Sequence, residues 1–147
     1  MRRGATLLEL IITIAVIGII AAIAAPRFAR AQDGASLDAA ARRLVAELGA
    51  IRQRAMISRT AAVVTLSVDG GKVRVGGIDT TGLSCAGGGF DLGVSPYGAA
   101  VVKTNFAGEM FTIDAYGALA AEGTIAIARG DATRTITITR TGAISWQ

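Results

Sequence analysis

Apolar residues are distributed unevenly along this chain, in three successive patterns. Residues 7–25 are apolar except for Glu9 and Thr13, and about 20 such residues cross the hydrocarbon core of a bilayer. Over residues 37–55, apolar side chains recur at spacings of three and four, which is typical of an amphipathic helix. From residue 61 they alternate with polar ones and are often β-branched, which predicts strands. We therefore expect an α+β fold in which a long N-terminal helix packs on a C-terminal antiparallel β-sheet domain.

The amphipathic stripe of the second segment is formed by Leu37, Ala41, Leu44, Leu48, Ile51 and Ala55. Ser36 or Asp33 could cap a separate helix here. If residues 27–35 are also helical, one helix runs from about Ala5 to about Ser58, a length of roughly 80 Å. Arginines flank the stripe on both sides, namely Arg42, Arg43, Arg52, Arg54 and Arg59. Because no aromatic residues are interleaved with them, we interpret them as covering the core edges with their stems, not as a nucleic-acid groove.

The strand-forming part begins with a hairpin signal. Residues 63–68 and 72–75 alternate around Asp69-Gly70-Gly71, a short glycine-rich link of the kind that joins antiparallel strands. Residues 76–98 are rich in glycine, and we interpret them as a long loop with one short strand. The remaining predicted strands cover residues 100–105, 110–113, 124–128, 135–139 and 143–146, and Thr141-Gly142 forms the last turn.

Composition excludes several kinds of chemistry. The chain has 147 residues, a formal net charge of +4, no histidine and one cysteine. Histidine is the commonest general base and metal ligand, and Gly87-Gly88-Gly89 lacks the Gly-Lys-Ser/Thr that completes a phosphate loop. We expect no enzymatic activity, no metal and no cofactor. We interpret Cys85 as a half-buried, unreactive thiol.

Glu9 is the most unusual residue of the apolar run. It is the only charge between Gly4 and Arg27, and a carboxylate in a membrane-length segment is costly, which predicts a function and a partner for it. Thr6-Leu7-Leu8-Glu9 also fits a capping box, in which the carboxylate serves its own helix start. Both interpretations can hold, in different states of the protein.

Gly4-Ala5-Thr6-Leu7-Leu8-Glu9-Leu10 resembles the class III signal of type IV pilins and type II secretion pseudopilins. The resemblance implies cleavage between Gly4 and Ala5 by prepilin peptidase and N-methylation of Ala5, although the family usually has phenylalanine or methionine at that position. It also implies that Glu9 pairs with the N-terminal ammonium of a neighbouring subunit during filament assembly. Pro26 matches a family proline at which the helix is kinked; the alternative is that Pro26 ends the membrane helix.

The rest of the chain resembles a narrower group, the GspH/FimT family of minor pseudopilins and minor type IV pilins. The resemblance is carried by residues 50–55, by Phe111 with Tyr116-Gly117, and by residues 134–138 with 142–144. It implies a leader peptide (1–4), a transmembrane and assembly helix (5–26), an amphipathic helix (27–60) and a β-rich periplasmic domain (61–147). The expected location is the bacterial inner membrane, with the N-terminus cytoplasmic, followed by incorporation into a filament.

The resulting hypothesis is a minor pseudopilin of a type II secretion pseudopilus. Its expected partners are other pilins or pseudopilins, prepilin peptidase, the inner-membrane assembly platform and the lipid bilayer. One alternative is a minor type IV pilin that serves pilus assembly or binds DNA for uptake, for which only Arg129, Arg134 and Arg140, with Asp131 among them, could supply a basic patch. Another is a signal-anchored binding protein that never assembles.

Overall fold

A computed structural model describes residues 7–81, 83, 85 and 87–147. A single helix, α1, covers Leu7–Ser58 and contains Pro26. The chain divides after Gln32 into two compact units, Met1–Gln32 and Asp33–Gln147, called here the N-terminal unit and the globular unit.

The helix continues through the segment where the sequence left two possibilities open. Asp33 and Ser36 lie inside α1, so a separate capped helix beginning at either residue is wrong. Residues 27–35 contain no proline, and Gly34 alone costs about 1 kcal/mol relative to alanine, which is too little to stop a helix that continues on both sides. The predicted apolar stripe is confirmed, because all six of its side chains are fully buried in the globular unit.

Within the described residues, eight antiparallel strands follow the helix. They are β1 (Ala62–Leu66), β2 (Lys72–Gly76), β3 (Gly89–Asp91), β4 (Ala100–Thr104), β5 (Met110–Ile113), β6 (Gly123–Arg129), β7 (Ala132–Ile138) and β8 (Ile144–Trp146). They form two four-stranded sheets, with the orders β3-β2-β1-β5 and β4-β6-β7-β8. The α+β class is confirmed. Where one antiparallel sheet was expected, the strands form two sheets, since β4 pairs with β6 and not with its neighbour in sequence, β5.

The core lies between the stripe of α1 and the inner faces of the strands. Ile125, Ile127, Ile136 and Ile138 are all buried, so the isoleucines of β7 share one face as their alternation predicts. On β6, β7 and β8 the opposite face carries small side chains, which are Thr124, Ala126, Ala128, Thr133, Thr135, Thr137 and Ser145. Lys103 of β4 pairs with Ala126 at the edge of this sheet.

The hairpin signal is confirmed by the antiparallel pairing of β1 with β2, and β3 is the one short strand expected within residues 76–98. Cys85 differs from expectation because its side chain is fully buried in the core. Glycines at 87, 88 and 89 let the chain fold back under β2, where the N–H groups of Gly88 and Gly89 both donate to the Cys85 carbonyl. This fold-back places the small thiol in the interior.

Three of the four outermost strands are short, and the fourth, β4, is paired irregularly. On the first sheet β3 has three residues and β5 has four. On the second sheet β8 has three, and the pairing of β4 with β6 is interrupted by a register shift between Val101 and Lys103.

Candidate functional site

The N-terminal unit presents apolar side chains on all sides of the helix. Every described residue from Leu7 to Gln32 is exposed, and the large aliphatic side chains retain between 49% and 76% of their accessible surface. They are Leu7, Leu8, Leu10, Ile11, Ile12, Ile14, Val16, Ile17, Ile19, Ile20 and Ile23. The most apolar stretch of α1 has a mean hydropathy of 2.8, enough by length and composition to cross a membrane. At about −0.3 to −0.6 kcal/mol for each such side chain, burial of this set in lipid is favourable by roughly 5 kcal/mol.

Glu9 and Thr13, the polar residues of the apolar run over residues 7–25, lie in the first two turns of α1. Glu9 is in the first turn, where the positive end of the helix dipole stabilises a carboxylate. The Thr13 hydroxyl donates a hydrogen bond of 2.6 Å to the Glu9 carbonyl, so this hydroxyl is satisfied within the helix and carries little cost in lipid. Gly4, Ala5 and the capping residue Thr6 lie outside the described residues. Cleavage, methylation and the capping box therefore stay predictions, as does the assembly role of Glu9.

Pro26 lies inside α1, so the interpretation that it ends the membrane helix is wrong. Since proline has no backbone N–H, the carbonyl of Ala22 loses its hydrogen-bond donor there. The helix is therefore weakened at the end of the apolar run. The kink itself stays a prediction.

Two arginines of the second sheet fasten the first turns of α1 that belong to the globular unit. Arg129 Nε lies 2.9 Å from Asp33 Oδ1, and Arg134 Nε lies 2.8 Å from Asp38 Oδ1. Arg129 also donates to the carbonyls of Pro96 and Tyr97 and so joins α1 to the loop before β4. Two of the three arginines considered for a nucleic-acid surface are therefore engaged in ion pairs with this helix.

The arginines on α1 do more than cover the edge of the core. Arg52 donates from Nε to the Gly117 carbonyl at 2.8 Å and from Nη2 to the Thr141 carbonyl at 3.0 Å. The glycine at 142 is required, because a Cβ there would lie 2.4 Å from Arg52 Nε and 2.1 Å from the Gly117 oxygen. One guanidinium thus holds two distant turns against the helix.

Two other arginines of α1 also reach the strand region. Arg54 donates to the carbonyls of Asp79 and Thr81, and Arg42 lies over the ring of Trp146, 5.9 Å from its centroid. The pKa of the Asp79 carboxyl is lowered by hydrogen bonding to Thr81, first from its side chain and then from its N–H, which donates to Asp79 Oδ1. These contacts hold the loop after β2 and strand β8 against the helix.

A buried acid beside Cys85 was missed by the sequence reasoning. Glu47 keeps only 4% of its surface, and its Oε1 lies 2.7 Å from Arg43 Nε. Burial raises the pKa of the Cys85 thiol, and the charge of Glu47 adds to this effect. The position of Glu47 three residues after Leu44 and one before Leu48, on the apolar stripe, was the signal that could have revealed it.

Comparison with known proteins bears on both units. The family described as "Prokaryotic N-terminal methylation motif" matches residues 1–25. The type IV minor pilin FimU of Pseudomonas aeruginosa matches with 26% identity and a TM-score of 0.58, over 76% of this chain and 87% of that one. The minor pseudopilin EpsH from the Type 2 Secretion System of Vibrio cholerae matches with the same TM-score over 76% and 96% of the two chains, at 14% identity, which shows a shared fold alone. None of the curated proteins compared with the chain matches it.

The N-terminal part of α1 is an exposed apolar helix with a prokaryotic methylation motif, and the same helix continues into a two-sheet domain with the fold of FimU. These features define a membrane-anchored, pilin-like protein. Within that class, the chain is similar to a minor pilin of type IV, and it shares its fold with a minor pseudopilin of a type II secretion system.

Proposed function

We propose that this chain is cut after Gly4, waits in the inner membrane with its globular unit in the periplasm, and joins a filament through its N-terminal helix as a minor subunit. The observation that carries the proposal is the helix from Leu7 to Gln32, which is exposed on all sides and has a methylation motif at its start. Such a surface is stable either in lipid or in a bundle of similar helices.

Glu9 would set the register of assembly. Cleavage after Gly4 creates an ammonium on Ala5, four residues from Glu9, and also removes Arg2 and Arg3. In a filament, the carboxylate of one subunit would meet the ammonium of a neighbour, because opposite charges in a medium of low dielectric strongly favour contact. Replacement of Glu9 would leave that ammonium unpaired in the bundle, at a cost of several kcal/mol.

Processing is tested by mass spectrometry of protein purified from membranes that contain active prepilin peptidase. We expect the mature chain to begin at Ala5 with an added methyl group, and Gly4→Val to leave the leader in place. Gly18→Ala is the matched control, because a Cβ at Gly18 meets nothing within 4 Å. An intact Met1 in the unmodified protein would refute the processing.

Assembly is tested by the amount of protein recovered in sheared filaments. We expect Glu9→Gln and Glu9→Ala to lower incorporation at least tenfold while the membrane level stays constant. Thr13→Val is the control, because it lies one turn along the same helix and loses only its bond to the Glu9 carbonyl. Unchanged incorporation of both Glu9 variants would exclude the pairing role.

Two kinds of filament remain as candidates for this subunit. Our first candidate is a type II secretion pseudopilus, with the inner-membrane assembly platform as a partner. The second, a minor subunit of a type IV pilus, is favoured by the higher identity to FimU, 26%, than to EpsH, 14%. Deletion of the gene separates them: loss of proteins from the culture medium indicates secretion, and loss of surface pili with normal secretion indicates a pilus.

DNA uptake by this subunit receives little support from the geometry. Arg129 and Arg134 are paired with Asp33 and Asp38, which leaves Arg140 alone of the three arginines considered for a nucleic-acid surface. We expect no shift of duplex DNA at low salt. A shift that disappears as salt rises would restore the alternative.

A further inference from the structure

An exposed apolar patch surrounds the end of α1. It consists of Met56, Arg59, Ala115 and Tyr116, and it is called here the Tyr116 patch. Met56, Arg59, Ala115 and Tyr116 line a depression of about 470 Å³. The exposed fractions are 86% for Tyr116 and 37% for Met56. Among the described residues, Tyr116 is the most exposed large hydrophobic side chain, and it lies on the globular unit, where such side chains are otherwise mostly buried.

The backbone beneath Tyr116 is firmly held. Asp114 Oδ1 accepts hydrogen bonds of 2.8 Å from the N–H groups of both Tyr116 and Ala118. The Gly117 N–H donates to the Asp114 carbonyl, and the Gly117 carbonyl is bound by Arg52. An exposed aromatic side chain on a fixed turn loses little conformational entropy when it is buried by a partner, which is the property of a binding anchor.

Arg59 occupies a position that normally belongs to glycine. The N–H of Thr60 donates to the Ala55 carbonyl at 3.2 Å, closing the helix in the manner of a Schellman motif. The intervening Arg59 has a φ of 52°, in the left-handed region, which is costly for a residue with a Cβ. A strained non-glycine residue of this kind is a reason to look for a function of its side chain. Its guanidinium is exposed beside Met56 and Tyr116.

The charge of the patch identifies its occupant. The three ion pairs formed by the described residues do not include Arg59, and the nearest acid in sequence to Tyr116, Asp114, is committed to its own turn. Two copies of the patch that faced each other would bring one Arg59 against the other. We propose that the Tyr116 patch binds a different protein, through a segment in which an apolar side chain fills the depression and a neighbouring carboxylate pairs with Arg59.

The proposal goes beyond the filament assignment, because it concerns a surface of the globular unit and is scored without filament formation. The experiment uses the full-length protein in its own cells, with the photo-crosslinking amino acid p-benzoyl-phenylalanine in place of Tyr116. The same amino acid in place of Thr133, an exposed residue on the small-residue face of β7, is the matched control. Crosslinked peptides are identified by mass spectrometry.

We expect an adduct with another protein, at least fivefold above the Thr133 control, through a peptide with Asp or Glu within about three residues of the crosslinked side chain. Arg59→Glu should reduce the yield at least fivefold and Arg59→Lys should retain most of it. Arg59→Gly should reduce the yield while raising the Tm, because glycine relieves the left-handed strain. This pairing of lower binding with higher stability distinguishes a binding role from a folding role.

Three results would overturn the proposal. They are an adduct with another copy of this chain or with lipid, a yield no higher than that of the control, and a yield that Arg59→Glu leaves unchanged.

Discussion

Replacement of Arg52 by methionine tests whether one guanidinium holds the strand region against the helix. Methionine keeps most of the aliphatic stem but removes the bonds to the carbonyls of Gly117 and Thr141. A hydrogen bond to a charged group contributes about 1.5–3 kcal/mol, and one of these two bonds is exposed, so we expect a loss of about 2–3 kcal/mol. At about 4 °C for each kcal/mol in a domain of this size, the Tm should fall by roughly 8–12 °C. Arg52→Lys should lie in between, because an ammonium cannot reproduce the planar fork of donors.

The assay is thermal unfolding of the full-length protein in detergent, followed by the fluorescence of Trp146, the single tryptophan. Arg140→Met is the matched control, since the Arg140 side chain is exposed and the described hydrogen bonds involve only its backbone carbonyl. It should stay within about 0.5 kcal/mol of the unmodified protein. If Arg52→Met had a Tm as close to that of the unmodified protein as Arg140→Met has, the argument that these two bonds stabilise the globular unit would be refuted.

Three further predictions follow from the buried groups and ion pairs. Burial raises the pKa of the Cys85 thiol, so iodoacetamide near pH 8 should label this thiol only after unfolding. The free energy of unfolding should fall as pH rises above the thiol's unfolded-state pKa of about 8.5. Equal labelling rates for folded and unfolded protein would contradict this. Arg43→Leu should cost about 2–3 kcal/mol in denaturant unfolding, because it leaves the Glu47 carboxylate buried and unpaired, and the double replacement with Glu47→Leu should recover most of the loss; a double variant as unstable as the single one would exclude this cause. Arg134 and Asp38 are both about one-third exposed, so a double-mutant cycle between them should give a coupling energy of about 0.5–1 kcal/mol that decreases in salt. A coupling energy of zero at low salt would show that the pair is not stabilising.

Periodicity accounts for the parts of this fold that the sequence predicted well. The stripe from Leu37 to Ala55 was predicted correctly because an apolar face repeats every three to four residues. The limits of β5 agree with the prediction residue for residue. The division of strands into two sheets was not predictable in the same way, because periodicity gives the inner face of a strand but not its neighbour.

Contacts between distant parts of the chain explain most of what was missed. Arg52 meets partners 65 and 89 residues away, and Arg129 meets Asp33 across 96 residues. Nothing local distinguishes these arginines from solvated ones. The assembly role of Glu9 stays a prediction for a related reason, because the group it would meet belongs to another molecule.

The short outer strands of the two sheets bear on how this protein can be stored before use. Subunits anchored in a membrane diffuse in two dimensions, so their globular units collide often. A long free strand edge on one unit would form backbone hydrogen bonds with the edge of another copy. Here such edge pairing is limited to three or four residues at β3, β5 and β8. On β4 the register shift beside Lys103 makes the strand irregular. In the function proposed above, a dense pool of waiting subunits would therefore stay unaggregated outside the bilayer, and the apolar helices would be the surfaces through which copies associate.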